Sequence, residues 1–189
     1  MPADATAERD IMVDSQVRPN DVPDLAIQDA MRSLPREALL PPEKRFLAYA
    51  DAQVEYAPGR WMLSPREVGK LLYALRPRAG ERALAIAAPY AAMVLEAIGL
   101  AVTRLDGDDL TAVSGSWPII VCEGAVSRAP AAWLAALAPE GRLAVVERDG
   151  PTGRAMLYLK TEQSTGGRSL FDCTPPVMAG FAEAPGFVF

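Results

Sequence analysis

The chain has 189 residues, half of them hydrophobic and 23% charged, with a formal net charge of −5. That length and balance suit one globular domain with a sizeable core; the acidity argues against nucleic acid or an anionic membrane as partner. There is no His, and the two Cys, Cys122 and Cys173, are isolated. This excludes a Ser–His or Cys–His nucleophile pair, leaves no ligand set for zinc or another soft metal, and hands any acid–base work to carboxylates, Lys or Tyr.

In chain order, Met1 to about Arg9 is polar, without the apolar core of a signal peptide, and reads as a loose tail over residues 1–10. No stretch is apolar and long enough to span a bilayer, so the cytoplasm is the expected location. Asp24–Ser33 carries Leu25, Ala26, Ala30 and Met31 at helical spacing, with Asp24 or Asp21 as cap. Short helical pieces follow at Pro35–Glu37 and Glu43–Ala50, so residues 11–55 form a helical layer packed on residues 56–189. Ser64-Pro65-Arg66-Glu67 is a strong helix start, with a Ser cap, Pro at the first position and Glu three residues on. That helix runs to about Ala74.

The pattern then alternates. Arg82–Ala87, Ala101–Leu105, Pro118–Cys122 and Arg142–Glu147 read as buried strands, with Cys122 an inert thiol inside the third. Tyr90–Ile98 and Pro130–Leu137 read as helices. Continuous apolar strands between helices predict an α/β fold with a mostly parallel sheet covered on both faces. Ala155–Lys160, Arg168–Phe171 and Phe187–Phe189 are strand-like and joined by turns alone, which predicts an antiparallel C-terminal edge.

Three stretches together resemble the protein-L-isoaspartate O-methyltransferase family. The first is Met12-Val13-Asp14-Ser15-Gln16-Val17-Arg18 followed by Ala30-Met31-Arg32-Ser33-Leu34-Pro35-Arg36-Glu37. The second is Ala48-Tyr49-Ala50-Asp51 with Gly59 through Pro65, in the place of the family's G-Q-T-I-S-x-P loop. The third is Trp117–Ala125 with Leu137-Ala138-Pro139-Glu140-Gly141-Arg142-Leu143, similar to an L-x-P-G-G-R-L turn. Their order covers nearly the whole chain from Ile11. The resemblance implies a Rossmann-like S-adenosylmethionine methyltransferase sandwich, with the cofactor at the carboxyl ends of the parallel strands.

Measured against that pattern, the chain departs at the site. The family's L-D-V-G-x-G-x-G-Y segment is matched by Leu84-Ala85-Ile86-Ala87-Ala88-Pro89-Tyr90, with every glycine gone, the loop shorter and Pro89 within it. Each added Cβ stands where the ligand needs bare backbone. Tyr90 and Asp106 are the candidate cofactor-binding residues, Asp106 for the ribose hydroxyls; its plainer reading is a turn residue. Only Asp108 to Ser116 separates Asp106 from Trp117, so about one βα unit is missing. Trp61-Met62-Leu63 replaces T-I-S, and a plug of the former active site is favoured over an apolar binding surface. Glu123 is the candidate catalytic carboxylate, against the plainer reading of a solvated loop acid.

These changes favour a non-catalytic member of the family, a pseudoenzyme that serves as a binding or structural module and takes no cofactor. A second protein or another copy of the chain would be its partner, and no metal is expected. One alternative is an active enzyme that retains S-adenosylmethionine and methylates isoaspartyl or other carboxylates. Methyl transfer depends mainly on alignment of donor and acceptor, so it needs no His. A second alternative is a binder of another small molecule in a cleft lined by Trp61, Met62 and Tyr90.

Overall fold

A computed structural model describes residues 5–182. The polar N-terminal segment is not a loose tail from Thr6 onward. It forms helix α1 (Thr6–Met12), which passes into a wide π-type turn at Val13–Val17. Arg32 ties it down by donating to Asp10 at 3.1 Å and Asp14 at 2.7 Å, and Gln16 donates to the Tyr49 carbonyl at 2.7 Å. Helix α2 (Leu25–Ser33) follows, with Asp24 accepting the Ile27 amide at 3.1 Å as its cap. Two 3-10 turns, Arg36–Leu39 and Pro42–Leu47, complete the layer.

Strands β1 (Val54–Ala57) and β2 (Arg60–Met62) pair as a hairpin turning at Gly59, in left-handed backbone at φ 68. Helix α3 (Pro65–Leu75) has the full capping box: Ser64 accepts the Glu67 amide and Glu67 accepts the Ser64 amide. Then come β3 (Arg82–Ile86), α4 (Pro89–Ala97), β4 (Ala101–Leu105), β5 (Trp117–Val126), α5 (Ala131–Ala135), β6 (Leu137–Asp149), β7 (Thr152–Lys160) and β8 (Thr165–Asp172). The sheet order is β4-β3-β5-β6-β7-β8. The first four strands are parallel, and β7 and β8 add antiparallel. Phe187–Phe189, the last strand-like segment of the sequence, lies outside the described residues.

Alternation along the strands splits the core. Ala83, Ala85, Ile119, Val121, Ala144 and Val146 face the layer of α1–α4. Leu84, Ile86, Ile120, Cys122, Leu143 and Val145 face the other side, where cover is thinner: α5, Leu110 and Phe181. The connection from β4 to β5 holds no helix or strand. It crosses this second face instead, and Trp133 donates its indole N–H to the Leu110 carbonyl at 2.7 Å. The absent βα unit leaves β4 as the outer strand on that side.

Candidate functional site

The carboxyl end of β3 turns through Ala87 and Ala88 into α4. Ala87 takes φ 44, the left-handed backbone that glycine adopts freely and an alanine adopts at about 1–2 kcal/mol. Its N–H donates to the Leu105 carbonyl at 3.0 Å, so the turn is held against the end of β4. Pro89 opens α4, and no side chain from the preceding residue caps the helix. The first free amides of α4 therefore need an acceptor from elsewhere.

Glu123 supplies it. Strand β5 does not stop at Cys122; it runs on to Val126, and its pairing with β6 is interrupted between Val121 and Ala125. A bulge of that kind re-aims side chains. Here one Glu123 oxygen accepts the Tyr90 amide at 2.9 Å and the Ala91 amide at 3.0 Å. A carboxylate on a helix amino end is the favoured sign of charge. Glu123 has no exposed surface, so it is not a solvated loop acid.

Arg36 approaches from the helical layer and is equally buried. Its Nε donates to the Ala48 carbonyl at 2.9 Å, its Nη2 donates to the Leu63 carbonyl, and its guanidinium lies 4.5 Å over the Tyr90 ring. Its Nη1 stands 3.8 Å from the second Glu123 oxygen, and neither atom has a hydrogen-bond partner. Burial pushes the Glu123 carboxyl up to about 7, against the Arg36 charge and the two amides that pull it down. Burial lowers Arg36 and raises the Tyr90 phenol, whose nearest acceptor is the Met31 carbonyl at 3.5 Å.

The space above the strand ends is filled by the chain itself. Met62 and Tyr90 are fully buried, so they line no open cleft, while Trp61 stays half-buried. Met178 lies on Gly124 so closely that a Cβ there would stand 2.5 Å from its sulfur. The Met178 amide donates to the Ala125 carbonyl at 2.9 Å, and the Ser127 amide to the Phe181 carbonyl at 3.1 Å. Arg60 of the hairpin reaches the Gly107 carbonyl at 3.0 Å and the Met178 sulfur at 3.9 Å. Asp106 is exposed beyond β4 and acts on Glu123 only through space.

The candidate residues thus separate. Tyr90 and Glu123 come together, joined by a backbone hydrogen bond, and Asp106 stays apart. Cys122 is buried, its thiol raised to about 12 by desolvation. Among the described residues no cluster of metal-ligating side chains occurs, and no helix is long and apolar enough to cross a membrane. Sequence reasoning missed Arg36 and Met178. Arg36 lies within the Pro-Arg-Glu segment of the first motif, which was the only signal for it. Nothing marks Met178.

No protein-family model matches the chain. It is 32% identical over 184 residues to the protein-L-isoaspartate O-methyltransferase of Methylorubrum extorquens, covering 82% of the chain and 80% of that relative. The Methylorubrum populi enzyme is 31% identical over 185 residues, covering 81% and 85%. A Rhodopseudomonas palustris relative of the same description is 39% identical over 102 residues, but that match spans only 53% of the chain and 42% of the relative. A Plasmodium falciparum beta-aspartate methyltransferase structure, in complex with S-adenosyl-L-homocysteine, superimposes at a TM-score of 0.73 and 13% identity, over 90% of this chain and 97% of that one. A second protein-L-isoaspartate O-methyltransferase structure gives 0.67 at 19% identity, over 83% and 62%. These two likenesses show the shared fold, and the Methylorubrum matches, running along most of both chains, place this chain in the protein-L-isoaspartate O-methyltransferase family.

Proposed function

We propose that this chain is a catalytically inactive member of its family, acting as a binding or structural module rather than as a methyltransferase. One observation carries the reading. The Glu123 carboxylate, from the chain itself, occupies the amide donors at the amino end of α4 at 2.9 and 3.0 Å. In a fold of this type the ligand is expected at that end of the sheet. Two contacts support the same reading: the left-handed Ala87 brings a Cβ to the turn, and Met178 is packed on Gly124. The residues present do not fit S-adenosylmethionine. Glu123 is enclosed with Arg36 and Tyr90 and has no exposed surface, so its work is to cap a helix end inside the core.

Isothermal titration with S-adenosylmethionine and with S-adenosylhomocysteine tests this, beside a radiolabelled methyl-transfer assay on an isoaspartyl peptide. The expected outcome is no saturable heat and no label in the peptide from folded protein. Micromolar binding of either compound, or label incorporation, would overturn the reading and restore the active-enzyme alternative.

A further inference from the structure

The chain has 19 Lys and Arg against 24 Asp and Glu, and most of the cations have partners. Arg32, Arg36, Lys44, Arg66, Arg104 and Arg142 all meet carboxylates. Lys70, Arg76, Arg78 and Arg168 have no hydrogen bond or ion pair from their side chains among the described residues. Away from them only Arg128 shares that state.

These four surround two adjoining hollows that meet at Arg76. One, about 260 Å3, is walled by Asp21, Lys70, Tyr73, Arg76, Arg168 and Phe171. The other, about 450 Å3, is walled by Arg76, Arg78, Glu140, Arg142, Leu159 and Lys160. Lys160 spends its hydrogen bonds on the Ala135 and Leu137 carbonyls and keeps its charge. Arg142 is paired with Glu81 through Nη2, while its buried Nε has no acceptor. Apolar surface lies between the cations: Tyr73 and Leu159 are each 41% exposed, and Phe171 lies 4.7 Å beneath the Lys70 ammonium. The plainer explanation, a cation complementing the end of α3, covers Arg76. It does not cover Arg78, Arg168 or Lys70.

We propose that this face, between the end of α3 and the β7–β8 hairpin, binds an acidic polypeptide segment carrying apolar side chains among its carboxylates. Charge complementarity selects the sign of the partner, and the alternation of cations with Tyr73, Leu159 and Phe171 selects its pattern. The rest of the molecule is acidic and repels a long polyanion that runs past the face, which disfavours nucleic acid. The face lies at the opposite end of α3 from the filled cleft, so it stands whether or not the cleft takes a cofactor.

Fluorescence anisotropy with a labelled short peptide of alternating Glu and Leu is the test. Saturable binding is expected, weakening with salt and absent for the peptide with Gln in place of Glu. Neutralising the face (Lys70→Gln, Arg76→Gln, Arg78→Gln and Arg168→Gln together) should weaken it at least about tenfold, and Arg128→Gln should leave it unchanged. If the fourfold variant does not fold, Arg76→Gln/Arg78→Gln and Lys70→Gln/Arg168→Gln must each weaken binding. Failure of the acidic peptide to bind, undiminished binding by the folded variants, or tighter binding of an oligothymidylate would overturn the proposal.

Discussion

Glu123→Gln isolates the proton of the buried carboxyl. The glutamine keeps an acceptor for the Tyr90 and Ala91 amides but cannot ionise. In the native chain the Glu123 carboxyl is raised from 4.5 to about 7. The folded state therefore binds this proton more tightly than the unfolded chain does. The resulting stabilisation is full below the unfolded value, near pH 4.5, and is lost as pH rises through about 7. Between pH 5 and pH 8 the linkage relation gives a decline of about 2–3 kcal/mol from this one group. Urea unfolding of both proteins across that range provides the measurement, read as the difference between their stabilities at each pH. The wild type should lose about 2–3 kcal/mol more than the variant toward pH 8. A difference that stays constant with pH would mean that the Arg36 charge and the two amides outweigh burial, and would refute the reasoning.

Two further sets of substitutions probe the closed strand ends. Ala87→Gly removes a methyl worth about 0.8 kcal/mol but releases about 1–2 kcal/mol of left-handed strain. It should leave the melting temperature nearly unchanged, whereas Ala85→Gly in β3 should lower it by several degrees; equal losses would contradict the strain assigned to Ala87. Gly124→Ala places a Cβ against the Met178 sulfur and should cost about 1–3 kcal/mol. Met178→Ala should cost about 2–5 kcal/mol alone. The double variant should be more stable than the sum of the two losses by at least about 0.5 kcal/mol. Strict additivity in urea unfolding would mean that the two residues do not press on each other.

Much of the frame was legible because its causes are local. The Ser64 capping box needs only four consecutive residues, and the apolar runs of β3 and β5 need only burial on both faces. The missing βα unit was legible as a short count between Asp106 and Trp117. The β1–β2 hairpin was not, since Pro58-Gly59 between short segments reads as a loop until Val54 pairs with Met62. Helix α1 has few apolar residues of its own and is held by Arg32, a contact no local pattern announces. The loss of glycine at Ala87 and Ala88 was visible at once. The fate of Glu123 was not, because its burial depends on a bulge in β5 and on an arginine brought from the other end of the chain.

The bond between Glu123 and the start of α4 also sets how the molecule meets dilution. A protein whose helix end waits for a diffusing anion gains stability in proportion to the logarithm of that anion's concentration. Here the anion belongs to the chain and sits on the strand next to β3, so the contribution of this helix end to stability does not vary with the concentration of any dissolved anion.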